Sequence, residues 1–202
     1  MKNLLIAFEG LDGSGKTTQI EKLKSWFLKS NFKVHVTRQP TDYYRNDKRV
    51  RDYLDKGIVP NMYTLALLAA ADRTYQVSQE LNPKLSDGIT IISDRYIYSS
   101  LAFFKARGIE YSDILEINKN VPEPDVVIFL DIPPENELKR VYQRDGKDIK
   151  FEEKDSQVFQ NVRQNFLDVL PKQTLILDSI QDMNTIHEKI VNHIKEKMKE
   201  GN

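Results

Sequence analysis

The chain has 202 residues, enough for one α/β domain that buries its own core. Its 30 basic and 30 acidic residues give a formal net charge of +0, which argues against a nucleic-acid partner or an anionic membrane surface. With a cysteine count of 0, the sequence also excludes disulfides, thiolate metal sites and thiol nucleophiles.

Apolar runs that alternate with helical stretches predict the sheet. In chain order the predicted strands are Leu4–Phe8, Val34–Thr37, Ile89–Ser93, Val126–Leu130 and Thr174–Leu177. Such alternation indicates an α/β fold, in which a parallel sheet of about five strands is flanked by helices. We expect residues 1–202 to form a single domain.

Helical spacing of apolar residues predicts three long helices. One follows the first strand, a second begins after Pro60 and ends before Asn82 and Pro83, and the last covers Asp182–Lys199. The predicted buried face of the last helix consists of Met183, Ile186, Ile190 and Ile194. The charged segment Asp145–Asp155 is expected to be an exposed loop.

The apolar stretch Leu65–Ala71 is the longest in the sequence. It is far shorter than the roughly 20 residues that a membrane-spanning helix needs. No signal-peptide pattern is visible at the N-terminus. We therefore expect a cytoplasmic protein that does not contact a membrane.

Residues Gly10–Thr17 read GLDGSGKT, a complete G-x-x-x-x-G-K-[ST] phosphate loop between a strand and a helix. Backbone amides of such a loop, together with the helix N-terminus, surround nucleotide phosphates. Lys16 is expected to reach the terminal phosphates of ATP, and Thr17 to bind the accompanying Mg²⁺. The predicted ATP-binding residues are Gly10, Gly13, Ser14, Gly15, Lys16, Thr17 and Thr18. The alternative is a glycine turn with a solvated lysine.

Several cations are expected at the carboxyl edge of the sheet, where ligands of such folds bind. Arg38 follows the second strand, Asp94 and Arg95 follow the third, and Arg73 lies on the second long helix. The basic segment Arg144–Lys150 adds further charge. This is more positive charge than one triphosphate needs, so we expect a second phosphorylated substrate.

Together, FEGLDGSGKTT, TRQP, AADR, SDRYIYSSLA and a basic lid resemble the thymidylate kinase family over essentially the whole chain. The resemblance implies a P-loop kinase fold with a short lid at about residues 144–155. It also implies Mg²⁺-dependent transfer of the ATP γ-phosphoryl group to dTMP, giving dTDP, in a homodimer.

The resemblance also assigns residues. Catalysis would fall to Lys16, Asp94, Arg95 and Arg144, with Thr17 and Asp94 at the metal and Arg140 at ATP. Asp12 would accept a hydrogen bond from the sugar 3′-OH, and Arg73 would donate to the thymine carbonyl. The remaining predicted substrate-binding residues are Arg38, Arg51, Ser100, Phe103 and Phe104.

Simpler structural explanations exist for four of these residues. Asp94 could cap a helix, Arg95 could form a surface ion pair, and Asp12 could only favour a turn. Arg51 could be one charge on an exposed helix face.

The sequence departs from the family pattern at four places. RQPTD replaces REPGG, so that Gln39 stands for an acid and the glycines are missing. Phe103 and Phe104 replace a tyrosine and a glutamine, and Ala69 replaces the aromatic residue that stacks on thymine. In the lid, Lys147 and Lys150 stand in place of arginines, and lysine lacks the planar fork of a guanidinium.

Three other functions compete with this interpretation. A GTPase switch would need an N-K-x-D motif, but the only candidate, Asn118–Val121, reads NKNV. A nucleic-acid-dependent ATPase would need a basic face. A kinase for another nucleoside monophosphate would fit the altered base pocket.

Overall fold

The structure is a computed structural model that describes residues 3–59, 61–133 and 156–200. Its five parallel strands are arranged in the order β2-β3-β1-β4-β5. The strands are β1 (Leu5–Glu9), β2 (Val34–Arg38), β3 (Thr90–Asp94), β4 (Val126–Asp131) and β5 (Leu175–Asp178). This confirms the predicted α/β class, and each predicted strand lies within one residue of its observed bounds.

Helices flank the sheet on both faces. The described residues form α1 (Lys16–Lys29), α2 (Asp42–Arg45), α3 (Lys48–Lys56), α4 (Met62–Gln76), α5 (Asn82–Ser86), α6 (Ile97–Ala106), α7 (Tyr111–Ile117), α8 (Ser156–Val169) and α9 (Met183–Glu200). The predicted lid at residues 144–155 lies outside the described residues.

The two faces of β1 contribute to different parts of the core, because side chains alternate along a strand. Ile6 and Phe8 pack with α1 and α9. Leu5 and Ala7 belong to the opposite face, where they pack with Val77 and Tyr96. Glu9 therefore continues the face of β1 that meets the start of α6.

The predicted break at Asn82 and Pro83 is wrong. Helix α4 continues through a π-helical turn, Val77–Leu81, directly into α5. Pro83 lies in the first turn of α5, where a missing backbone N–H is tolerated.

The last helix matches its prediction except at its first residue. Ile186, Ile190 and Ile194 are buried, whereas the Met183 side chain is 56% exposed. Asp182 caps the helix by accepting hydrogen bonds from the amides of Asn184 and Thr185. Met183 therefore lies at the solvent-facing start of α9 and is not part of the core.

The strand order places the phosphate loop at the centre of the carboxyl edge. β1 pairs with β3 on one side, with Phe8 opposite Asp94, and with β4 on the other, with Glu9 opposite Phe129. Arg38 of β2 also lies opposite Asp94. Within the described ranges, no helix is long and apolar enough to cross a membrane.

Candidate active site

The backbone of the phosphate loop depends on its glycines. Gly10 has a φ of +141°, and a Cβ there would lie 2.6 Å from the carbonyl oxygen of Leu130. Gly15 has a φ of +90° with open space around its missing Cβ, directly before the N-terminus of α1. The Ser14 hydroxyl is buried without a hydrogen-bond partner in the described part of the chain. The loop thus offers the Ser14 hydroxyl and open space at Gly15 to a phosphate.

Lys16 is folded back on the loop. Its Nζ donates to the carbonyl oxygens of Gly10 (3.1 Å) and Leu11 (2.7 Å), and the residue is buried. Burial, reinforced by the positive charge of Arg95, lowers the pKa of Lys16 from 10.5 to about 8. An incoming polyphosphate would offer this ammonium stronger acceptors than two neutral carbonyls.

The two predicted metal-binding residues line one cavity of about 850 Å³, which we call the α1 cavity. Thr17 contributes from the first turn of α1, and Asp94 from the end of β3. Asp94 does not cap α6, since the residue at the N-cap is Tyr96. The Oδ1 atom of Asp94 is buried and has no hydrogen-bond partner among the described residues.

Arg95 and Asp12 form an ion pair, with 2.6 Å between the Arg95 NH2 and the Asp12 Oδ1. The Arg95 side chain is only 11% exposed, so this ion pair is not a surface one. Its guanidinium also lies 5.2 Å from the centre of the Phe103 ring. The pair joins the phosphate loop to the turn between β3 and α6.

A second cavity, which we call the α6 cavity, opens beside this ion pair. Its lining includes Asp12, Pro40, Tyr44, Arg45, Ala69, Arg95, Ser99, Ser100, Phe103, Phe104 and Arg107. Five of the predicted site residues are therefore brought together here. They are Asp12, Arg95, Ser100, Phe103 and Phe104.

Arg73 lies behind this lining. Its Nε donates to Gln39 (2.8 Å), its NH2 to the Ser100 hydroxyl (2.6 Å), and its NH1 to Asn118. Burial lowers the pKa of this arginine, and these three acceptors are all neutral. Arg73 thus reaches the α6 cavity through Ser100, whereas a direct contact with the base was predicted.

Two other predicted arginines, Arg38 and Arg51, do not line the α6 cavity. Arg51 is on the outer face of α3, where it pairs with Asp55 and is 48% exposed. Arg38 lines the α1 cavity and pairs with Asp42. Arg140 and Arg144, with Lys147 and Lys150, lie outside the described residues.

Three residues of this site were missed by sequence reasoning. Arg45, at the end of α2, supplies the α6 cavity with the cation expected from Arg51, and its Nε donates to the Pro40 carbonyl (2.8 Å). Arg107 stacks over Tyr53 and Phe104, with its Cζ 5.1 and 5.0 Å from the ring centres. Glu9 is buried directly before the loop. Of these three residues, only Glu9 could have been noticed in the sequence, because a carboxylate at the end of an apolar strand is unusual.

Comparison with known proteins identifies one family consistently. The sequence model of the family described as thymidylate kinase matches residues 8–190. A probable thymidylate kinase from Pyrococcus horikoshii is 36% identical over 98% of both chains. Another from Thermococcus onnurineus is 34% identical over 93% of this chain and 95% of its own. A thymidylate kinase from Thermoanaerobacter sp. is 32% identical over 96% of this chain and 98% of its own. The chain belongs to the thymidylate kinase family.

Proposed function

We propose that this protein transfers the γ-phosphoryl group of ATP to dTMP, giving dTDP and ADP. Family membership and the names of the relatives support this reaction. The observation that carries the proposal is the ion pair between Asp12 and Arg95. It places one guanidinium between a loop built for donor phosphates and a cavity that can take an acceptor.

The donor phosphates would bind the loop around Gly15 and the N-terminus of α1. Lys16 would leave the carbonyls of Gly10 and Leu11 to neutralise the β and γ oxygens. Thr18, exposed on the first turn of α1, and Arg140 are the further ATP contacts that we propose.

The acceptor would bind in the α6 cavity. Arg45 and Arg95 line it and would face the monophosphate, while Asp12 would meet the sugar hydroxyl. Ser100 and Phe104 would contact the base. Because Ala69 leaves no aromatic on α4 at this point, the Phe104 ring is the stacking surface that we propose.

The chemistry needs no general base, because the attacking oxygen belongs to a phosphate that is already anionic. Positioning and neutralisation of charge carry the catalysis. Arg95 would bridge the donor and acceptor phosphates, and Arg144 would add charge from the lid. Arg38, at the α1 cavity, and Arg51, on α3, remain proposed contacts of the surroundings of the acceptor, outside the α6 cavity itself.

Mg²⁺ fits the wall of the α1 cavity. The unpartnered Asp94 Oδ1 and the exposed Thr17 hydroxyl are oxygen ligands of the kind that this ion prefers. These two residues would hold the ion, which when bound would neutralise charge on the ATP phosphates.

Among the residues that the structure describes, the guanine-motif candidate does not support a GTPase. Asn118 follows α7, and its side chain accepts a hydrogen bond from the buried Arg73. It therefore serves the packing around α4 and is not positioned as a guanine contact after a strand.

The reaction can be tested by separating the nucleotides after incubation with ATP, Mg²⁺ and dTMP. We expect equal amounts of ADP and dTDP, and no ADP without dTMP. Release of free phosphate without dTDP would identify a hydrolase instead.

We further propose a homodimer formed through an exposed patch on α2 and α4, the α4 patch, consisting of Tyr43, Leu67 and Tyr75. The rings of Tyr43 and Tyr75 pack edge to face at 6.1 Å, although both side chains are more than half exposed. Apolar surface of this kind marks association sites, and two copies of one face can pack on each other.

A cytoplasmic location is proposed as well, since ATP and dTMP are cytoplasmic metabolites.

Light scattering tests the dimer. Leu67→Glu should give a monomer, because the charge would be buried at the interface. Leu28→Glu, at a leucine on α1 that is 55% exposed against 46% for Leu67, is the matched control and should remain dimeric. A dimer in Leu67→Glu would exclude the α4 patch.

A further inference from the structure

Glu9 is a fully buried carboxylate to which the proposed reaction assigns no task. It is the last residue of β1, directly before the phosphate loop, and its exposure is 0%. Its Oε1 accepts hydrogen bonds from the amides of Tyr96 (2.9 Å) and Ser99 (3.3 Å). Its Oε2 accepts from the Ser99 hydroxyl. Burial raises the pKa of this carboxyl group, and the three hydrogen bonds that it accepts compensate for its loss of water.

The carboxylate caps α6 from another element. Tyr96 occupies the N-cap position of α6 and offers no side-chain cap, while Ser99 is the third residue of the helix. Glu9 therefore satisfies the two amides that a capping box within the helix would satisfy. The positive end of the helix dipole also favours an anion there.

Arg95 lies one residue before this cap and has a constrained backbone. Its φ is +69°, an uncommon value for a residue other than glycine. Its amide donates to the Phe8 carbonyl (2.8 Å), and its own carbonyl accepts from the Ser93 hydroxyl (2.6 Å). The backbone of Arg95 is thus fixed from both sides.

Ser99 links Glu9 to the Arg95 side chain. The Arg95 NH1 donates to the Ser99 hydroxyl oxygen (3.0 Å). A serine hydroxyl carries a single hydrogen, so its donation to Glu9 leaves the oxygen lone pairs facing the guanidinium. The other end of the guanidinium is held by Asp12. The result is a continuous chain from Glu9 through Ser99 and Arg95 to Asp12.

We propose that Glu9, acting through Ser99, is a positioning residue that fixes the orientation of the Arg95 guanidinium relative to the phosphate loop. This inference rests on the proposed role of Arg95 in phosphoryl transfer. Glu9 joins two elements that the reaction must keep aligned, because it ends the strand that carries the loop and caps the helix that follows Arg95. Glu9 itself does not touch either substrate.

Two substitutions separate positioning from helix capping. Glu9→Gln keeps an oxygen for the two amides but turns an NH2 group toward the Ser99 hydroxyl, so that its hydrogen competes with Arg95. Ser99→Ala leaves the Glu9 contacts with both amides in place and removes the link, together with one hydroxyl of the α6 cavity lining, whose effect on the acceptor would appear in the KM for dTMP. If Glu9→Gln does not fold, Ser99→Ala still carries the test.

We expect each variant to lower kcat by about tenfold to a hundredfold, as small misplacements of a catalytic group do. The KM values for ATP and dTMP should change little, and Ser99→Thr, which keeps a hydroxyl, should restore turnover. In an Arg95→Ala background neither variant should lower kcat further, because the group that they orient is gone.

Three results would overturn the inference. Wild-type kcat in both Glu9→Gln and Ser99→Ala, with a large loss in Arg95→Ala, would remove Glu9 from the mechanism but leave the role of Arg95 intact. Losses that multiply in the Arg95→Ala background would show that Glu9 acts elsewhere. Wild-type kcat in Arg95→Ala would overturn both this inference and the role given to Arg95 under the proposed function.

Discussion

Gln39 and Gln76 share a buried hydrogen bond, with 3.0 Å between the Gln39 Nε2 and the Gln76 Oε1. The direction of this bond is set at both ends. Arg73 donates to the Gln39 oxygen, and the Gln76 amide donates to Glu80 and to the Thr37 hydroxyl. Helix α4 thereby holds the loop after β2, which lacks the glycines typical of the family.

Loss of the Gln76 amide should weaken this loop. We expect Gln76→Leu to lower the free energy of unfolding by about 1–3 kcal/mol, because the amide of Gln39 loses its buried acceptor. The KM for dTMP should rise, because Pro40 of the same loop lines the α6 cavity. Thermal unfolding and steady-state kinetics measure both effects. The exposed Gln79→Leu is the matched control, and equal stability of the two variants would contradict the expectation.

Phe104 should determine affinity for the base. It is 3% exposed, lines the α6 cavity and lies under Arg107, whose Cζ is 5.0 Å from the ring centre. Stacking on an aromatic ring contributes about 1–3 kcal/mol per base. Phe104→Leu keeps apolar volume but removes the ring face, so kcat/KM for dTMP should fall by roughly tenfold or more, whereas Phe104→Tyr should keep most of it. Unchanged kcat/KM in the leucine variant would place the base elsewhere.

Removal of the Lys16 ammonium should nearly abolish transfer without unfolding the protein. The lysine neutralises charge that develops on the phosphates, and loss of one such group costs about a hundredfold to a thousandfold in kcat. Lys22→Ala, a lysine on the same helix whose Nζ bonds Asn184, is the control and should remain active. Activity of Lys16→Ala close to that of the control would refute the donor site.

The protonation of Lys16 should appear in the pH profile. Its pKa of about 8 in the free protein means that the ammonium is lost as the pH rises above 8. The kcat/KM for ATP, which reports the free enzyme, should therefore fall above pH 8. Bound phosphates favour the charged form, so kcat should stay level to higher pH. A kcat/KM that is flat to about pH 10 would contradict this shift.

The lowered pKa of Lys16 also makes the stability of the folded protein depend on pH. In the unfolded chain Lys16 keeps its proton up to about pH 10.5, whereas the folded protein releases it near pH 8. The unfolded state therefore binds more protons between these values, and the contribution of Lys16 to stability should rise with pH across this window. Lys16→Met should remove this rise in denaturant unfolding at pH 8–10.

Local sequence was sufficient to predict the positions of the strands and the phosphate loop. Buried parallel strands appear as short apolar runs, and the loop glycines follow a fixed spacing. The end of α4 could not be predicted, because a π-helical turn lets Pro83 continue the helix. Nothing in local spacing reveals such a turn.

The sequence indicates several residues that line the two cavities, but neither their contacts nor the places of Arg45, Arg107 and Glu9. Asp12 and Arg95 were both identified, yet their ion pair joins positions 83 residues apart and arises only from the β1–β3 pairing. Arg45 was missed in favour of Arg51, because both lie in one charged segment and only folding decides which of them faces the α6 cavity. The partners of Arg73 come from three separate elements, so its acceptors could not be predicted from local sequence.

The preference of the enzyme among nucleoside monophosphates is the sharpest test of the proposed dTMP kinase activity. We would measure kcat/KM with ATP for dTMP, dUMP, dCMP, dGMP and AMP in one coupled assay. We expect dTMP to be preferred, dUMP to be used more weakly and dCMP to be largely refused, because cytosine lacks the carbonyl at position 4 that the Ser100–Arg73 pair would recognise. Preference for a purine monophosphate would contradict this expectation.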